Sequence, residues 1–310
     1  MQQAILMFFQ HIGNPALDIF FQVITLFGEQ GILILVGITV LYAMDKDEGF
    51  ALVTTILAAI LSMGCIKAIV KAPRPFQVLD SIKGKRLATA TGYSFPSGHT
   101  TGASVTYNSL ARYIKTQKAW VVASIMVVLV AISRLYLGVH WPVDVAVGYL
   151  IGIACTFLLP DRLLDLCRNK KKKIKFSSIV GSILTAGALA LGFLLQAKLI
   201  EAVAFTDLFK IMAFGGTGYL GFALETAYLD IDLRGTKTTK AIRIASCITA
   251  VIVFLAGIKL LLPAALYIPG AFLRYSLSGI WVTFLFPLLS RKILFRSKKT
   301  LLQPNHRNRP

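Results

Sequence analysis

The chain has 310 residues, of which 56% are hydrophobic and 15% are Asp, Glu, Lys or Arg, with a net charge of +19 and a mean hydropathy of +0.70. A soluble domain of this length carries far more charge, so the composition excludes an ordinary soluble protein. In so apolar a chain, the positive charge is expected to mark membrane topology rather than nucleic-acid binding.

The chain begins with an apolar segment, residues 1–28, which is interrupted at residues 13–15 by Gly-Asn-Pro. This pattern predicts one or two short helices lying in the membrane interface. Further apolar segments follow, each long enough to cross a hydrocarbon core as a helix. We predict nine spans, at residues 30–44, 49–70, 98–113, 119–137, 143–159, 177–197, 208–229, 241–262 and 271–290. The predicted fold class is therefore all-α, a polytopic membrane helical bundle of about nine transmembrane helices with short N-terminal interfacial helices.

The basic residues lie mainly in loops on one side of this nine-span layout. That side holds the segment 160–176, with four consecutive lysines at 170–173, and the residues after 290. Lys and Arg are retained on the cytoplasmic side, which predicts a cytoplasmic C-terminus and an N-terminus outside the plasma membrane. The loops 71–97 and 134–142 then face outward, and the basic cytoplasmic segments are expected to meet anionic lipids.

The lysine run also divides the chain into predicted parts. Residues 1–160 form a core of interfacial helices and five spans, 161–176 a basic cytoplasmic linker, 177–292 a four-span membrane region, and 293–310 a basic cytoplasmic tail. The four-span region is open to three interpretations, a scaffold, a dimer surface or a wall of a substrate groove, and the sequence does not predict an oligomeric state. Its stretch GTGYLG, at 216–221, predicts close helix packing through small residues.

Phosphate-binding groups are concentrated in polar patches on the predicted outer face. Lys67, Arg74 and Arg134 supply positive charge, and the planar fork of arginine matches phosphate oxygens. Ser97 and Gly98 come just before an apolar helix, where a hydroxyl and free backbone N–H groups form an anion site. These five residues together predict a site for a phosphoryl group.

Two histidines and one carboxylate on the same face suggest catalysis. Asp144 follows His140 by four residues, within reach over one helical turn, so that it can orient the imidazole as a nucleophile. His99 is then free to protonate the leaving oxygen and later to activate water. The three cations stabilise the charge of the transition state, so the prediction includes neither a metal nor another cofactor.

Taken in order, these residues resemble the three-part signature of the type 2 phosphatidic acid phosphatase superfamily. The matching positions are Lys67 and Arg74-Pro75, then Pro96-Ser97-Gly98-His99, then Ser133-Arg134, His140 and Asp144. The resemblance covers about residues 15–160. It implies that His140 is the nucleophile, that His99 is the general acid and base, and that Asp144 is the charge partner. It also implies that phosphate is bound by Lys67, Arg74, Ser97, Gly98 and Arg134. The nine-span layout is loosely similar to that of glucose-6-phosphatases.

The resemblance implies an integral membrane phosphatase that cleaves a phosphomonoester or a diphosphate from a membrane lipid through a phosphohistidine. Two alternatives stay open. One is a phosphatase or phosphotransferase for a soluble headgroup such as a sugar phosphate, and the other is a channel or transporter that binds phosphate without cleaving it.

Overall fold

The structure is a computed structural model, and it describes residues 1–263, 266–294, 296 and 297. The residues group into two compact units. The first unit comprises residues 1–37, 51–163 and 191–211, and the second comprises 38–50, 164–190 and 212–310. Most of the basic tail predicted at 293–310 lies outside the described residues.

Helices account for most of the described chain. In chain order they are α1 (Gln2–His11), α2 (Pro15–Leu26), α3 (Gln30–Ala43), α4 (Lys46–Val70), α5 (Pro75–Val78), α6 (Gly98–Ile114), α7 (Gln117–Tyr136), α8 (Pro142–Leu158), α9 (Pro160–Cys167), α10 (Lys170–Gln196), α11 (Ala202–Leu224), α12 (Lys237–Ile252), α13 (Ile258–Leu261), α14 (Tyr267–Ile280) and α15 (Phe286–Leu294). Two-residue strands, β1 (Ile231–Asp232) and β2 (Arg296–Ser297), pair antiparallel. The all-helical membrane bundle predicted from the sequence is confirmed.

The break predicted near the N-terminus is present between α1 and α2. Asn14 caps α2, because its side chain accepts a hydrogen bond of 3.0 Å from the backbone nitrogen of Leu17, and Pro15 occupies the first helical position. The predicted short helices are therefore present, while their location in the membrane interface stays a prediction.

Among the described residues, six helical segments are long and apolar enough to cross a membrane, and a seventh results if the bent pair α2 and α3 is one span. The six are Lys46–Val78, Gln117–Tyr136, Pro142–Cys167, Lys170–Gln196, Lys237–Leu261 and Tyr267–Leu294. The nine spans predicted from the sequence are thus not all found. Of the others, α6 has 17 residues and carries buried Ser and Thr side chains, because its neighbours are protein helices rather than lipid.

Helix α6 packs closely between α7 and α8 in the first unit. Glycines on α8 allow the approach: a Cβ built on Gly148 would lie 2.8 Å from the backbone oxygen of Ser97, and one on Gly152 would lie 2.7 Å from the backbone nitrogen of Val105. At the same end, the backbone nitrogen of Ser97 donates to the backbone oxygen of Asp144 at 3.0 Å. This packing places the beginnings of α6 and α8 side by side.

In the second unit, several buried polar side chains have hydrogen-bond or ion-pair partners. The Nζ atom of Lys46 lies 2.8 Å from the carboxylate of Glu225, which is 3% exposed. Arg243 is buried and donates to the backbone oxygen of Leu233 at 2.7 Å. In the stretch 216–221, a Cβ on Gly216 would lie 2.6 Å from the backbone nitrogen of Thr185, so this segment packs tightly against α10, as its small residues predict.

The predicted basic linker, residues 161–176, lies in α9 and at the start of α10. Within the second unit, the Nζ atom of Lys173 forms an ion pair of 2.7 Å with Asp47.

Candidate active site

The residues predicted to form the site come from several separate elements of the first unit. Lys67 lies in the last turn of α4, Arg74 precedes α5, Ser97 precedes α6, Gly98 and His99 begin α6, Arg134 lies in the last turn of α7, His140 lies in the turn before α8, and Asp144 lies in the first turn of α8. Each therefore stands at or near the end of a helix, and these helix ends meet.

Asp144 and His140 form a buried pair, in which each residue is 1% exposed. The Nδ1 atom of His140 lies 3.2 Å from Oδ2 of Asp144. The same carboxylate oxygen accepts hydrogen bonds from the backbone nitrogen of Trp141, at 2.8 Å, and from the hydroxyl of Ser94. The carboxylate is thereby held in one orientation, with the imidazole against it.

The surroundings of His140 determine its tautomer. The Nη1 atom of Arg74 lies 3.2 Å from Nε2 of His140, and a guanidinium group can only donate. Nε2 must then accept, so the proton is on Nδ1, where it is donated to Asp144. Burial, together with the charge of Arg74, lowers the pKa of His140 well below its ordinary value, which keeps the imidazole neutral. Its Nε2 atom therefore carries the electron pair that can act as a nucleophile once Arg74 donates elsewhere.

Arg74 is held by backbone oxygens of the segment 91–93, which we name the strap. Its Nη2 atom donates to the oxygen of Thr91 at 2.7 Å, and its Nε atom donates to that of Gly92 at 3.1 Å. Lys67 donates to the oxygen of Tyr93 at 2.9 Å. The strap thus binds two of the three cations that the sequence predicts to contact phosphate.

Arg134 and His99 bring unpaired nitrogens to the same place. Arg134 is 1% exposed, and its Nη1 atom donates to the hydroxyl of Thr25 at 2.7 Å. Within the described part of the chain, the buried atoms Nε and Nη2 of Arg134 and Nε2 of His99 have no hydrogen-bond partner. Buried polar groups are nearly always paired, so these three nitrogens indicate the position of a ligand's oxygen atoms.

These groups surround one cavity of about 250 Å³. Its polar lining includes Lys67, Arg74, Gly98, His99, Arg134 and His140. Its apolar lining includes Leu33, Ile60, Met63, Leu208 and Ile211. The arrangement suits a molecule that has an anionic end and an apolar end.

Two predicted site residues lie behind the residues that line the cavity. Ser97 is fully buried, and its hydroxyl oxygen accepts from the hydroxyl of Thr100 at 3.0 Å and from its backbone nitrogen at 3.4 Å. Ser97 therefore caps α6 and orients the residues that follow it. Asp144 reaches the cavity only through His140.

Some contributors are not assigned from the sequence. Ser94 lies within the polar patch before α6, yet its bond to Asp144 depends on α8 being adjacent. Thr25, on α2, is 109 residues from its partner Arg134, and the sequence carries no signal for this contact. The first turns of α11 also line the cavity, through Val203, Asp207 and Leu208. Part of the region after 177 is thus a wall of the cavity.

Fold and site together define a helical membrane protein with a buried His–Asp pair beside a cationic cavity. Residues 48–164 match the family model of the PAP2 superfamily, and residues 209–298 match that of the PAP2 superfamily phosphatase transmembrane extension. These matches span more than half of the chain, which belongs to the PAP2 superfamily and carries the transmembrane extension. The resemblance seen in the sequence motifs is thereby confirmed.

Two curated relatives are similar to parts of the chain. The undecaprenyl-diphosphatase of Sulfolobus acidocaldarius is 31% identical over 129 residues, which cover 39% of this chain and 58% of that protein. Phosphatidylglycerophosphatase B of Bacillus subtilis is 37% identical over 82 residues, which cover 24% of this chain and 40% of that protein. The chain thus spans only about half of the length of these relatives.

Among solved structures, a transmembrane PAP2-type phosphatidylglycerolphosphate phosphatase from Bacillus subtilis is 25% identical, with a TM-score of 0.43. The match covers 51% of this chain and 81% of that one.

Proposed function

We propose that the protein is an integral membrane phosphatase that removes a phosphate group from a lipid phosphomonoester or diphosphate, through a phosphohistidine and without a metal. One observation carries the proposal. Arg134 and His99, whose buried atoms Nε, Nη2 and Nε2 have no partner in the described part of the chain, line the same cavity as His140, so a phosphoryl group placed there can accept from them and meet the nucleophile.

In the first step, Nε2 of His140 attacks phosphorus, and the bond from phosphorus to the leaving oxygen breaks. The contact of 3.2 Å between Arg74 and Nε2 occupies the electron pair that must attack. A phosphoryl oxygen takes over the hydrogen bond of Arg74, which frees that pair. His99, which takes up a proton when the anionic phosphoryl group binds beside it, gives that proton to the leaving oxygen. The positive charge that develops on His140 is stabilised by Asp144.

In the second step, His99, now neutral, accepts a proton from water. The resulting hydroxide attacks phosphorus and breaks its bond to Nε2 of His140. Inorganic phosphate leaves, and both histidines return to their starting states. Lys67, Arg74 and Arg134 balance the negative charge of the phosphoryl group in both steps, with donors on three sides of it.

The apolar side chains that line the cavity favour a lipid over a soluble ester. Leu33 and Ile60 face the same space as the cations, as do Met63, Leu208 and Ile211. The names of the relatives indicate candidate substrates, undecaprenyl diphosphate and phosphatidylglycerophosphate. Both molecules combine a phosphate end with an apolar chain, in keeping with the cationic and the apolar side chains that line the cavity.

The charge distribution supports the proposed orientation in the plasma membrane. The positive-inside rule places the basic segment 160–176 in the cytoplasm, near anionic lipids. This segment follows the C-terminal end of α8, and the site lies at the N-terminal end of α8, so the site then opens on the extracytoplasmic face.

The proposal is tested by phosphate release from the purified protein in EDTA. The substrates are phosphatidic acid, phosphatidylglycerophosphate, undecaprenyl diphosphate, sphingosine phosphate and glucose 6-phosphate. We expect turnover of at least one lipid and its loss in His140→Ala. The matched control is Asp161→Asn, which breaks an ion pair between exposed Asp161 and Arg112 at the other end of α6.

Each other outcome excludes part of the proposal. Full activity in His140→Ala excludes the phosphohistidine, and loss of activity in EDTA excludes the mechanism without a metal. A preference for glucose 6-phosphate favours a soluble headgroup. Tight phosphate binding without turnover of any substrate favours a channel or transporter.

A further inference from the structure

The strap, residues 91–93, is attached to the protein on two sides. Its backbone oxygens accept from Arg74 and Lys67, as described above. Its side chains point to a different partner, the beginning of α11: the hydroxyl of Thr91 donates to Oδ2 of Asp207 at 2.8 Å, and the hydroxyl of Tyr93 donates to Oε2 of Glu201 at 2.8 Å. These residues are more than 100 positions apart in the sequence.

Both carboxylates are also paired with a lysine. Glu201 lies 3.1 Å from Nζ of Lys71, and Asp207 lies 3.2 Å from Nζ of Lys210. The Glu201 side chain is 54% exposed and that of Asp207 is 37% exposed. Exposed ion pairs contribute little stability, so these contacts are poorly explained as a means of holding the fold together.

We infer that Glu201 and Asp207 are positioning residues, which hold the strap so that its carbonyl oxygens keep Arg74 and Lys67 in the geometry that binds a phosphoryl group. The inference rests on the proposed function, because it concerns the same cavity. It assigns a role to the segment just before the transmembrane extension: this segment sets the position of cations that belong to the PAP2 core.

The strap acts on Arg74 through geometry rather than through the stability of the fold. Arg74 donates to the oxygens of all three strap residues and, through Nη1, to that of Val139 at 2.7 Å. A guanidinium held on several sides cannot follow the phosphate, so the strap determines where the Nη1 donor that faces His140 points. A displacement of the strap by a fraction of an ångström therefore lengthens hydrogen bonds to the phosphoryl oxygens, and such bonds weaken steeply with poor alignment.

The ionisation of Glu201 and of Tyr93 defines the pH range over which the hydrogen bond between them is intact. Hydrogen bonds from Tyr93 and from Lys71 lower the pKa of Glu201 below its ordinary value of 4.5. The bond to Glu201 raises the pKa of Tyr93 above its ordinary value of 10.0. The carboxylate form is lost as the pH falls through the lowered value, and the phenol form is lost as the pH rises through the raised one. The hydrogen bond between Tyr93 and Glu201 is therefore intact over the range between these two pKa values.

The test compares inhibition by inorganic phosphate in the full-length protein and its variants. Thr91→Val and Tyr93→Phe each remove a hydroxyl, and Asp207→Asn and Glu201→Gln each remove a charge. Each is expected to raise the inhibition constant of phosphate about threefold, the size of one modest net hydrogen bond. Thr91→Ser keeps the hydroxyl and is expected to behave as the unmodified protein. Asp161→Asn serves as the control for loss of an exposed ion pair.

Coupling distinguishes positioning from a general loss of stability. Thr91→Val combined with Asp207→Asn is expected to be no worse than Thr91→Val alone, because without the Thr91 hydroxyl residue 207 no longer contacts the strap. Losses that simply add, or no rescue by Thr91→Ser, would overturn the inference.

A second measurement does not depend on turnover. Hydrogen exchange at the backbone amides of residues 91–94 is expected to accelerate in Asp207→Asn and Glu201→Gln, while exchange in the middle of α6 stays the same. If no lipid or sugar phosphate is hydrolysed, the proposed function fails, but hydrogen exchange still tests whether Glu201 and Asp207 hold the strap. Unchanged exchange in both variants would overturn the inference even in an active enzyme.

Discussion

Replacing Asp144 by Asn tests the central pair of the proposed mechanism. In the resting site, Oδ2 of Asp144 accepts from His140, from the backbone nitrogen of Trp141 and from Ser94. Asn has nearly the same shape but no charge. When His140 attacks phosphorus its ring becomes positive, and a carboxylate about 4 Å away stabilises a unit charge by about 4 kcal/mol at an effective dielectric constant near 20.

Asn retains part of this stabilisation through a neutral hydrogen bond worth about 1 kcal/mol. The net loss is therefore about 3 kcal/mol, which corresponds to a decrease of roughly 100-fold in kcat at 1.36 kcal/mol per factor of ten. KM is expected to change much less, because Asp144 lies behind His140 and does not line the cavity in the described structure.

The assay is phosphate release at saturating substrate, together with quenched-flow trapping of the phosphohistidine. Asp18→Asn is the matched control, since the Asp18 carboxylate also accepts from two side chains, Lys85 and Tyr136, and Asp18 is not among the described residues that line the cavity. A kcat for Asp144→Asn within threefold of that of the unmodified protein would refute the reasoning, as would a loss confined to KM.

Two further predictions concern packing and pH. Gly152→Ala is expected to lower stability by about 1–3 kcal/mol, since the added Cβ meets the backbone of α6 at 2.7 Å. The thermal midpoint measures this, with Gly37→Ala as control because a Cβ there meets its nearest neighbour at 4.0 Å, and equal midpoints would contradict it. Burial lowers the pKa of His140, so the folded protein resists its protonation and loses stability as the pH falls below 6.5, by up to about 1.4 kcal/mol per pH unit. The slope of the thermal midpoint between pH 7 and 5 is expected to be smaller in His140→Gln, and equal slopes would count against a neutral, buried imidazole.

The sequence by itself determined the features that depend on residue type and on short spacing. An apolar composition establishes a membrane protein, and the spacing of four between His140 and Asp144 allows the two side chains to meet where α8 begins. Asn14 and Pro15 begin a helix for local reasons of capping and backbone geometry. Such features follow from the sequence because they involve atoms only a few bonds or one turn apart.

The number of spans could not be determined in the same way. Hydropathy measures composition, while a helix surrounded by other helices can carry many polar side chains without meeting lipid. Helix α6 shows this, since its Thr100, Thr101 and Ser104 are fully buried against protein neighbours. Whether such a helix is counted as a membrane span therefore depends on the minimum apolar length that is required.

Only the tertiary structure decided which groups meet in the cavity. The contact between Arg74 and His140 spans 66 positions, that between Arg134 and Thr25 spans 109, and that between Thr91 and Asp207 spans 116. Such contacts depend on how closely α6 and α8 pack and on where the loop 71–97 lies. Residue types specify which groups can bind a phosphoryl group, but their convergence is a property of the packed helices, because no local spacing relates atoms that lie on separate elements.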